Sequence, residues 1–172
     1  MKKKHRLIIP IALYGVLFFT VYIFQSMIFP YLRIAGFVPL LLPIVSTGIA
    51  VYRGSTAGGI SGLFAGMFCD LSFNQPLGTF TVILTLAGVA VGAVAETVMT
   101  RGFGTYLISC ATILLFCAFV QMTPLLFLHG VPMPLLLNTA FWQTAYSMIF
   151  TIPLWFCIKA LSQKIEDVSI LR

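Results

Sequence analysis

The stretch that decides the fold is GGISGLFAGMFCDLSFNQPLG, residues 58–78. Glycines interrupt an apolar run, a single aspartate, Asp70, closes it, and an uncharged Pro-Leu-Gly turn follows. Small residues in an apolar helix are typical of membrane proteins, where they let neighbouring backbones approach closely. The stretch therefore poses the question of whether Asp70 serves chemistry or packing.

The composition of the whole chain places this stretch in a membrane. Of the 172 residues, 60% are hydrophobic and 8% are charged, and the mean hydropathy is +1.06. Soluble domains are about 25% charged. A helix needs about 20 apolar residues to cross a bilayer core, so the chain has room for six or seven crossings at most. No length remains for a soluble catalytic domain.

Polar and turn-forming residues divide the chain into six hydrophobic blocks. These blocks lie at about 7–29, 36–52, 55–72, 77–99, 104–128 and 135–159. Backbone groups in lipid must be hydrogen-bonded within their own segment, and the blocks lack the alternation of barrel strands. The sequence predicts an all-α integral membrane protein, one polytopic domain over residues 1–172 with six transmembrane helices in one bundle. The second block is short and carries Pro39 and Pro43, so its helix is expected to be tilted, kinked or matched by a thinner bilayer.

The basic residues predict the orientation of the six helices. With the N-terminus in the cytoplasm, only Arg33 falls outside, and the inside set is Lys2, Lys3, Lys4, Arg6, Arg53, Arg101, Lys159, Lys164 and Arg172. This asymmetry is what the positive-inside rule predicts. Both termini are therefore expected in the cytoplasm, and the formal charge of +6 is attributed to topology and not to nucleic-acid binding.

Glycines mark one face of the third block. Ser55, Gly59, Gly62 and Gly66 follow one another at spacings of four and three, which keeps them on one side of a helix, and Gly58 lies beside them. Gly88 and Gly92 repeat the device in the fourth block. We expect helices three and four to pack closely, on each other or on neighbouring helices, and the alternative is that a partner's helix docks on the glycine face.

The two carboxylates inside the predicted spans lie too far apart to form a catalytic pair. Asp70 ends a helix that runs outward and Glu96 lies near the end of the helix that returns, about 25–30 Å away along the membrane normal. With only two histidines and no metalloprotease, Walker or nucleophile-elbow motif, the sequence predicts no enzyme activity, no cofactor and no metal site.

Each carboxylate has a different predicted role. Glu96 is expected to form an ion pair at the inner interface with Arg53 or Arg101. Asp70 precedes the outer turn formed by Pro76, Leu77 and Gly78. It is expected to end helix three and anchor this turn, with a functional role as the alternative.

Other polar and aromatic residues in the spans suggest contacts and anchors. Gln121 and Gln143 are expected to hydrogen-bond across helices five and six. Trp142 and Trp155 lie about 20 Å apart on helix six, which is the spacing of the two aromatic belts of a bilayer. Both tryptophans are therefore predicted to be interfacial anchors.

The run RGSTAGGISGLFAGMFCDLSFNQPLGTFTVILTLAGVAVG, residues 53–92, resembles MreD, a family of small rod-shape-determining membrane proteins of bacteria. The matching positions are Arg53, Gly54, Ala57, Gly58, Gly62, Gly66, Asp70, Pro76, Leu77, Gly78, Gly88 and Gly92. The chain departs from the family where Leu40 follows Pro39, because the family often has a polar residue there.

The resemblance implies a non-catalytic, multi-pass scaffold of the bacterial inner membrane that acts through helix contacts in the cell-elongation machinery. It implies an MreC-like partner and, through the same assembly, a RodA-like glycosyltransferase, a penicillin-binding transpeptidase and MreB. The alternative is the substrate-binding S component of an energy-coupling-factor vitamin transporter, which has a similar fold. The first helix of those subunits offers two alanines four residues apart, whereas here Val16 follows Ala12.

Overall fold

The computed structural model describes residues 2–28, 39–73, 78–97, 102–129 and 132–170. All regular structure in these ranges is helical. The helices are α1 (Lys2–Ile23), which continues as a π-helical turn (Phe24–Ile28), α2 (Leu41–Arg53), α3 (Ser55–Phe73), α4 (Thr79–Thr97), α5 (Phe103–His129), α6 (Met133–Ile149) and α7 (Thr151–Ile170).

The sixth hydrophobic block differs from the single helix that the sequence predicts. It consists of α6 and α7, whose axes are bent by 45° at Phe150. Pro153 explains the break, because it has no N–H to donate to the carbonyl of Ile149 and its ring crowds that carbonyl. The bend therefore follows from a single proline in the first turn of α7.

The short helix α2 lies at the centre of the bundle. Every side chain in residues 41–51 is buried, and α1, α3, α4, α5 and α7 all contact this helix. At 13 residues it is about 20 Å long, shorter than a bilayer core. Its burial on all sides explains why its sequence is apolar without a polar face.

Distant side chains satisfy the buried start of α2. Gln25 Oε1 accepts hydrogen bonds from the N–H groups of Leu41 (2.9 Å) and Leu42 (3.2 Å), and Ser147 Oγ accepts one from the N–H of Leu40 (3.1 Å). The next residue is Pro43, which has no N–H. The first N–H groups of α2 thus have partners from α1 and α6, although no neighbour in the sequence caps the helix.

Two helices among the described residues are long and apolar enough to cross a membrane alone, namely α4 and the Phe103–Thr123 part of α5. The bent pair α6–α7 passes the same criterion when taken together, as a broken span or a re-entrant loop. α3 has the length of α4, but its glycines and Asp70 make it less apolar. The chain thus has apolar helices able to span a bilayer, and the count of six spans stays a prediction.

The prediction that both tryptophans anchor the protein at the membrane surface is wrong for Trp155. Trp142 is 57% exposed, whereas Trp155 is 7% exposed. Its ring centroid lies 4.8 Å from that of Tyr52, 4.7 Å from that of Tyr106 and 5.5 Å from that of Phe103. The turn of the chain at Phe150 separates the two tryptophans onto different helices, so their spacing in the sequence no longer fixes their depth.

Candidate functional site

The α3–α4 hairpin brings together most of the residues that the sequence singles out. Gly66 lies against Thr81 near the start of α4, while Gly92 near the end of α4 lies against Gly54 and Ser55. The contact therefore runs along the full length of both helices, which are antiparallel. It is the most extensive contact between helices in the described part of the chain.

The glycines at this contact leave no room for a side chain. A Cβ atom at Gly62 would overlap the backbone of Leu84 and Thr85, and one at Gly58 would overlap the backbone of Gly88. The same holds in reverse, because a Cβ at Gly88 would overlap the carbonyl of Gly58. Backbone atoms cannot rotate away, so any side chain at these positions would push the helices apart.

The α3 residues that contact the α4 backbone differ slightly from the glycine face that the sequence predicts. Gly58, Gly62 and Gly66 face the α4 backbone directly. Gly59 lies at the rim, where a Cβ would meet only the side chain of Val89, 2.8 Å from its Cγ2 atom. Gly59 is thus the one member of the α3 glycines whose neighbour is a movable side chain.

Asp70 joins the end of α3 to the start of α4. Its Oδ2 accepts hydrogen bonds from the N–H groups of Gly78 (2.9 Å) and Thr81 (3.2 Å) and from Thr81 Oγ1 (2.6 Å). Its Oδ1 accepts one from the N–H of Phe80 (2.8 Å). Asp70 is only 4% exposed, and its negative charge lies at the positive end of the α4 dipole. The carboxylate therefore acts as the N-terminal cap of α4, supplied from a different helix.

Gly78 adopts a backbone conformation suited to glycine at this turn, with φ of 102°. A Cβ there would have open space, so the requirement is conformational and not steric. The two other predicted members of the turn, Pro76 and Leu77, lie outside the described residues.

The opposite end of the hairpin is closed at Gly54. This residue ends α2 with φ of 87° and ψ of −172°, a region open essentially to glycine alone. Its N–H donates to the carbonyl of Ala50 and its carbonyl accepts from the N–H of Gly58, both at 2.9 Å. A Cβ at Gly54 would overlap the carboxylate of Glu96. One residue thus reverses the chain between two helices and makes room for an acidic side chain.

The charged residues at this end of the hairpin are arranged around Gly54. Glu96 accepts hydrogen bonds from the N–H (3.2 Å) and hydroxyl (3.5 Å) of Ser55, at the N-terminus of α3 where the helix dipole favours a carboxylate. Arg53 Nε donates to the hydroxyl of Tyr14 at 3.3 Å. Arg101 lies outside the described residues, so an inner ion pair that includes it stays a prediction.

The two carboxylates therefore lie at opposite ends of the hairpin, each on the N-terminus of a helix. Asp70 caps α4 and Glu96 caps α3. Among the described residues, no group of three or more His, Cys, Asp or Glu could hold a metal ion. With both oxygens of Asp70 occupied by backbone donors, this arrangement holds helices together.

Sequence reasoning missed several residues that hold the bundle. Thr81 has no distinguishing sequence signal, and only the pairing with Asp70 reveals its role. Gln25 could have been singled out, because a glutamine within an apolar block needs a hydrogen-bond partner. Ser147 could not, since a serine in an apolar helix usually bonds to its own backbone, as Ser147 also does with the carbonyl of Gln143.

Comparison with known proteins adds one finding. A family model described as rod shape-determining protein MreD matches residues 6–165. No curated protein and no solved structure gave a match. The matched range includes the whole α3–α4 hairpin and the helices α2 and α5, which contact it.

Proposed function

The chain belongs to the MreD family of rod shape-determining membrane proteins, and on that premise we propose that it is a non-catalytic scaffold of the bacterial inner membrane. In this proposal it takes part in cell elongation by holding other membrane proteins through helix contacts. The observation that carries the proposal is that the glycines, Asp70 and Glu96 all stabilise the α3–α4 hairpin.

The exposed side of the hairpin is the proposed contact surface. α4 occupies the glycine face of α3, so a partner's helix would have to displace α4 to bind there. The opposite side of α3 carries large exposed apolar side chains at helical spacing, namely Ile60, Leu63, Phe64, Met67 and Leu71. Such a face suits either lipid or an apolar partner helix, and we place the partner contact on it.

The proposed assembly follows the family resemblance. The chain crosses the membrane six times with both termini in the cytoplasm, α6 and α7 forming one broken span. Its direct partner is an MreC-like protein, and the assembly extends to a RodA-like glycosyltransferase, a penicillin-binding transpeptidase and MreB. The bacterial inner membrane is the compartment in which such partners meet.

Purification of the tagged chain from its own host at native expression, in mild detergent and with mass spectrometry of the associated proteins, tests this proposal. The Gly62→Leu variant carries a side chain where α4 backbone lies, whereas the control Gly15→Leu adds the same side chain to open space on α1. We expect the wild type and the control to recover an MreC-like protein and to support rod-shaped cells. Gly62→Leu should lose both.

Two results would contradict the proposal. Recovery of paired ATP-binding subunits with a coupling membrane protein would identify a transporter's binding subunit instead. A folded Gly62→Leu variant with full partner recovery would show that the α3–α4 packing is not needed for function.

A further inference from the structure

Arg53 lies where α1, α2 and α7 meet, at the end of the bundle that also holds Gly54. Its Nε donates to the hydroxyl of Tyr14 at 3.3 Å, and its Cζ atom lies 5.9 Å from the centroid of the Tyr14 ring. The Tyr14 hydroxyl lies 2.9 Å from Ser162 Oγ on α7. Tyr14 on α1 thus holds the guanidinium, and Ser162 on α7 in turn holds the Tyr14 hydroxyl.

This cluster, formed by Tyr14, Arg53 and Ser162, has a donor that meets no acidic acceptor among the side chains that the structure describes. Arg53 Nη2 is buried and has no hydrogen-bond partner among the described residues. The carboxylates whose side chains the structure describes are occupied elsewhere, Glu96 at Ser55 and Asp70 at the start of α4. Since a guanidinium remains charged, a buried N–H of this kind without an acceptor is costly unless an anion or water supplies one.

We propose that this cluster binds a phosphate group. A planar guanidinium matches the oxygens of a phosphate with parallel N–H donors, and basic pockets between membrane helices suit anionic headgroups. The Tyr14 and Ser162 hydroxyls are bonded to each other, so one of the two can donate to a ligand beside the cation. The ligand is either the phosphodiester of an anionic phospholipid or a free phosphate ion.

Native mass spectrometry of the purified full-length protein, stripped of lipid in detergent, tests the site. The probes are dioctanoyl phosphatidylglycerol, dioctanoyl glycerol without the phosphate, and inorganic phosphate. The variants are Arg53→Gln, Arg53→Lys and Tyr14→Phe, and Lys159→Gln is the control because it removes an exposed charge from α7. Circular dichroism and size-exclusion chromatography establish that each variant is folded.

We expect phosphatidylglycerol to bind the wild type and Lys159→Gln equally, and the neutral lipid to bind at least tenfold more weakly. Loss of a charge-assisted hydrogen bond should weaken binding to Arg53→Gln about tenfold or more. Arg53→Lys and Tyr14→Phe should fall between these values, because the charge stays but its orientation is lost. If Arg53→Gln fails to fold, these two variants carry the test.

The outcomes separate the sources of the phosphate. Competition by inorganic phosphate at comparable concentration would support the site with a soluble anion as its ligand, and binding of the lipid alone would support the phospholipid. Equal weakening by Arg53→Gln and Lys159→Gln would overturn the proposal, since binding would then depend on net charge. Equal binding of the phosphate-free lipid would overturn it as well.

Discussion

The Asp70 carboxylate combines deep burial with four hydrogen bonds, and that combination decides its role. A buried carboxylate without partners would take up a proton or destabilise the fold. Here both oxygens meet donors from the first turn of α4, so the negative charge is stabilised where it lies. Asp70 therefore serves packing and not chemistry, because its oxygen atoms accept hydrogen bonds from the start of α4.

The Asp70→Asn variant should be clearly less stable than the wild type. An amide has one acceptor oxygen, so its NH₂ group must face either the N–H of Phe80 or the donors of Gly78 and Thr81. We expect a loss of about 1–3 kcal/mol, the range for a hydrogen bond to a charged group or a buried donor left unpaired. Thermal unfolding in detergent, followed with a thiol-reactive dye, measures it through the buried thiols of Cys69, Cys110 and Cys117.

Ser72→Ala is the matched control for this prediction. Ser72 lies on an exposed face two residues further along α3, and its hydroxyl bonds to the carbonyl of Phe68 in its own helix at 2.8 Å. Its removal should leave the unfolding midpoint nearly unchanged. If Asp70→Asn unfolds with the midpoint of Ser72→Ala, the capping role of Asp70 is wrong.

At the scale of single helices, α3 and α4 pack closely because the glycines at their contact have no side chains. Lipid is as apolar as leucine, so burying leucine between membrane helices gains little, whereas close backbone approach gains van der Waals contact along the whole interface. Three glycines on α3 and two on α4 make that approach possible. Adding a single carbon atom at one of these glycines should therefore disturb the pairing of the two helices.

Gly62→Ala should destabilise the protein although alanine is the better helix former. The new Cβ would overlap the backbone of Leu84, and overpacking of this kind costs about 1–3 kcal/mol. Gly15→Ala and Gly104→Ala add the same atom where nothing lies within 4 Å, so they should be neutral or stabilising by up to about 1 kcal/mol. Gly59→Ala should fall between, because the side chain of Val89 can move. The four unfolding midpoints check this order, and a Gly62→Ala midpoint equal to that of Gly15→Ala would contradict it.

The start of α2, in contrast, depends on hydrogen bonds from residues far away in the sequence. Gln25→Met removes the acceptor for two buried N–H groups, and Ser147→Ala removes the acceptor for a third. Each change should cost about 1–3 kcal/mol, because a buried donor is left unpaired. The double variant should depart from the sum, because the two side chains bond to the N–H groups of consecutive residues and such neighbouring sites couple.

Thr139→Ala on the same helix as Ser147 is the control for this experiment. Its hydroxyl bonds only to the carbonyl of Leu135, at 2.7 Å, so its loss should change the unfolding midpoint little. A Gln25→Met variant as stable as Thr139→Ala would show that water replaces the glutamine at the start of α2.

At the scale of the whole molecule, sequence reasoning succeeded where a contact depends on local spacing. The hydrogen bond between Gln121 and Gln143 is confirmed at 3.1 Å, because two polar side chains in apolar helices of neighbouring blocks have few other partners. Membership of the family, which the 53–92 stretch indicates, is shown by the match over residues 6–165. Both inferences need only residue type and distance along the chain.

The features that the sequence did not predict depend on the three-dimensional path. Trp155 is buried against Tyr52, Tyr106 and Phe103, and no periodicity within 135–159 records the direction of the bend that precedes it. The link from Gln25 to the start of α2 spans 16 residues, and that from Ser147 spans 107. Such pairs are set by the packing of the whole bundle and not by any local pattern.

The bend between α6 and α7 leads to a prediction about both ends of the chain. A deflection of 45° leaves α7 running in the same general direction as α6, so we expect the pair to cross the membrane once. Together Met133–Ile149 and Thr151–Gln163 give about 45 Å of helix, more than a bilayer core of about 30 Å requires even when bent. If the remaining blocks each cross once, the N- and C-termini lie on the same side.

Fusions of alkaline phosphatase, which is active only outside the cytoplasm, and of β-galactosidase, which is active only inside it, check this prediction. Attached to either terminus of the full-length chain, the phosphatase should be inactive and the galactosidase active, because the positive-inside rule predicts both ends in the cytoplasm. A phosphatase fused directly after Gly78 should be active and serves as the positive control. An active phosphatase at the C-terminus alone would mean an odd number of crossings, with α6 and α7 on separate spans or α2 not crossing at all.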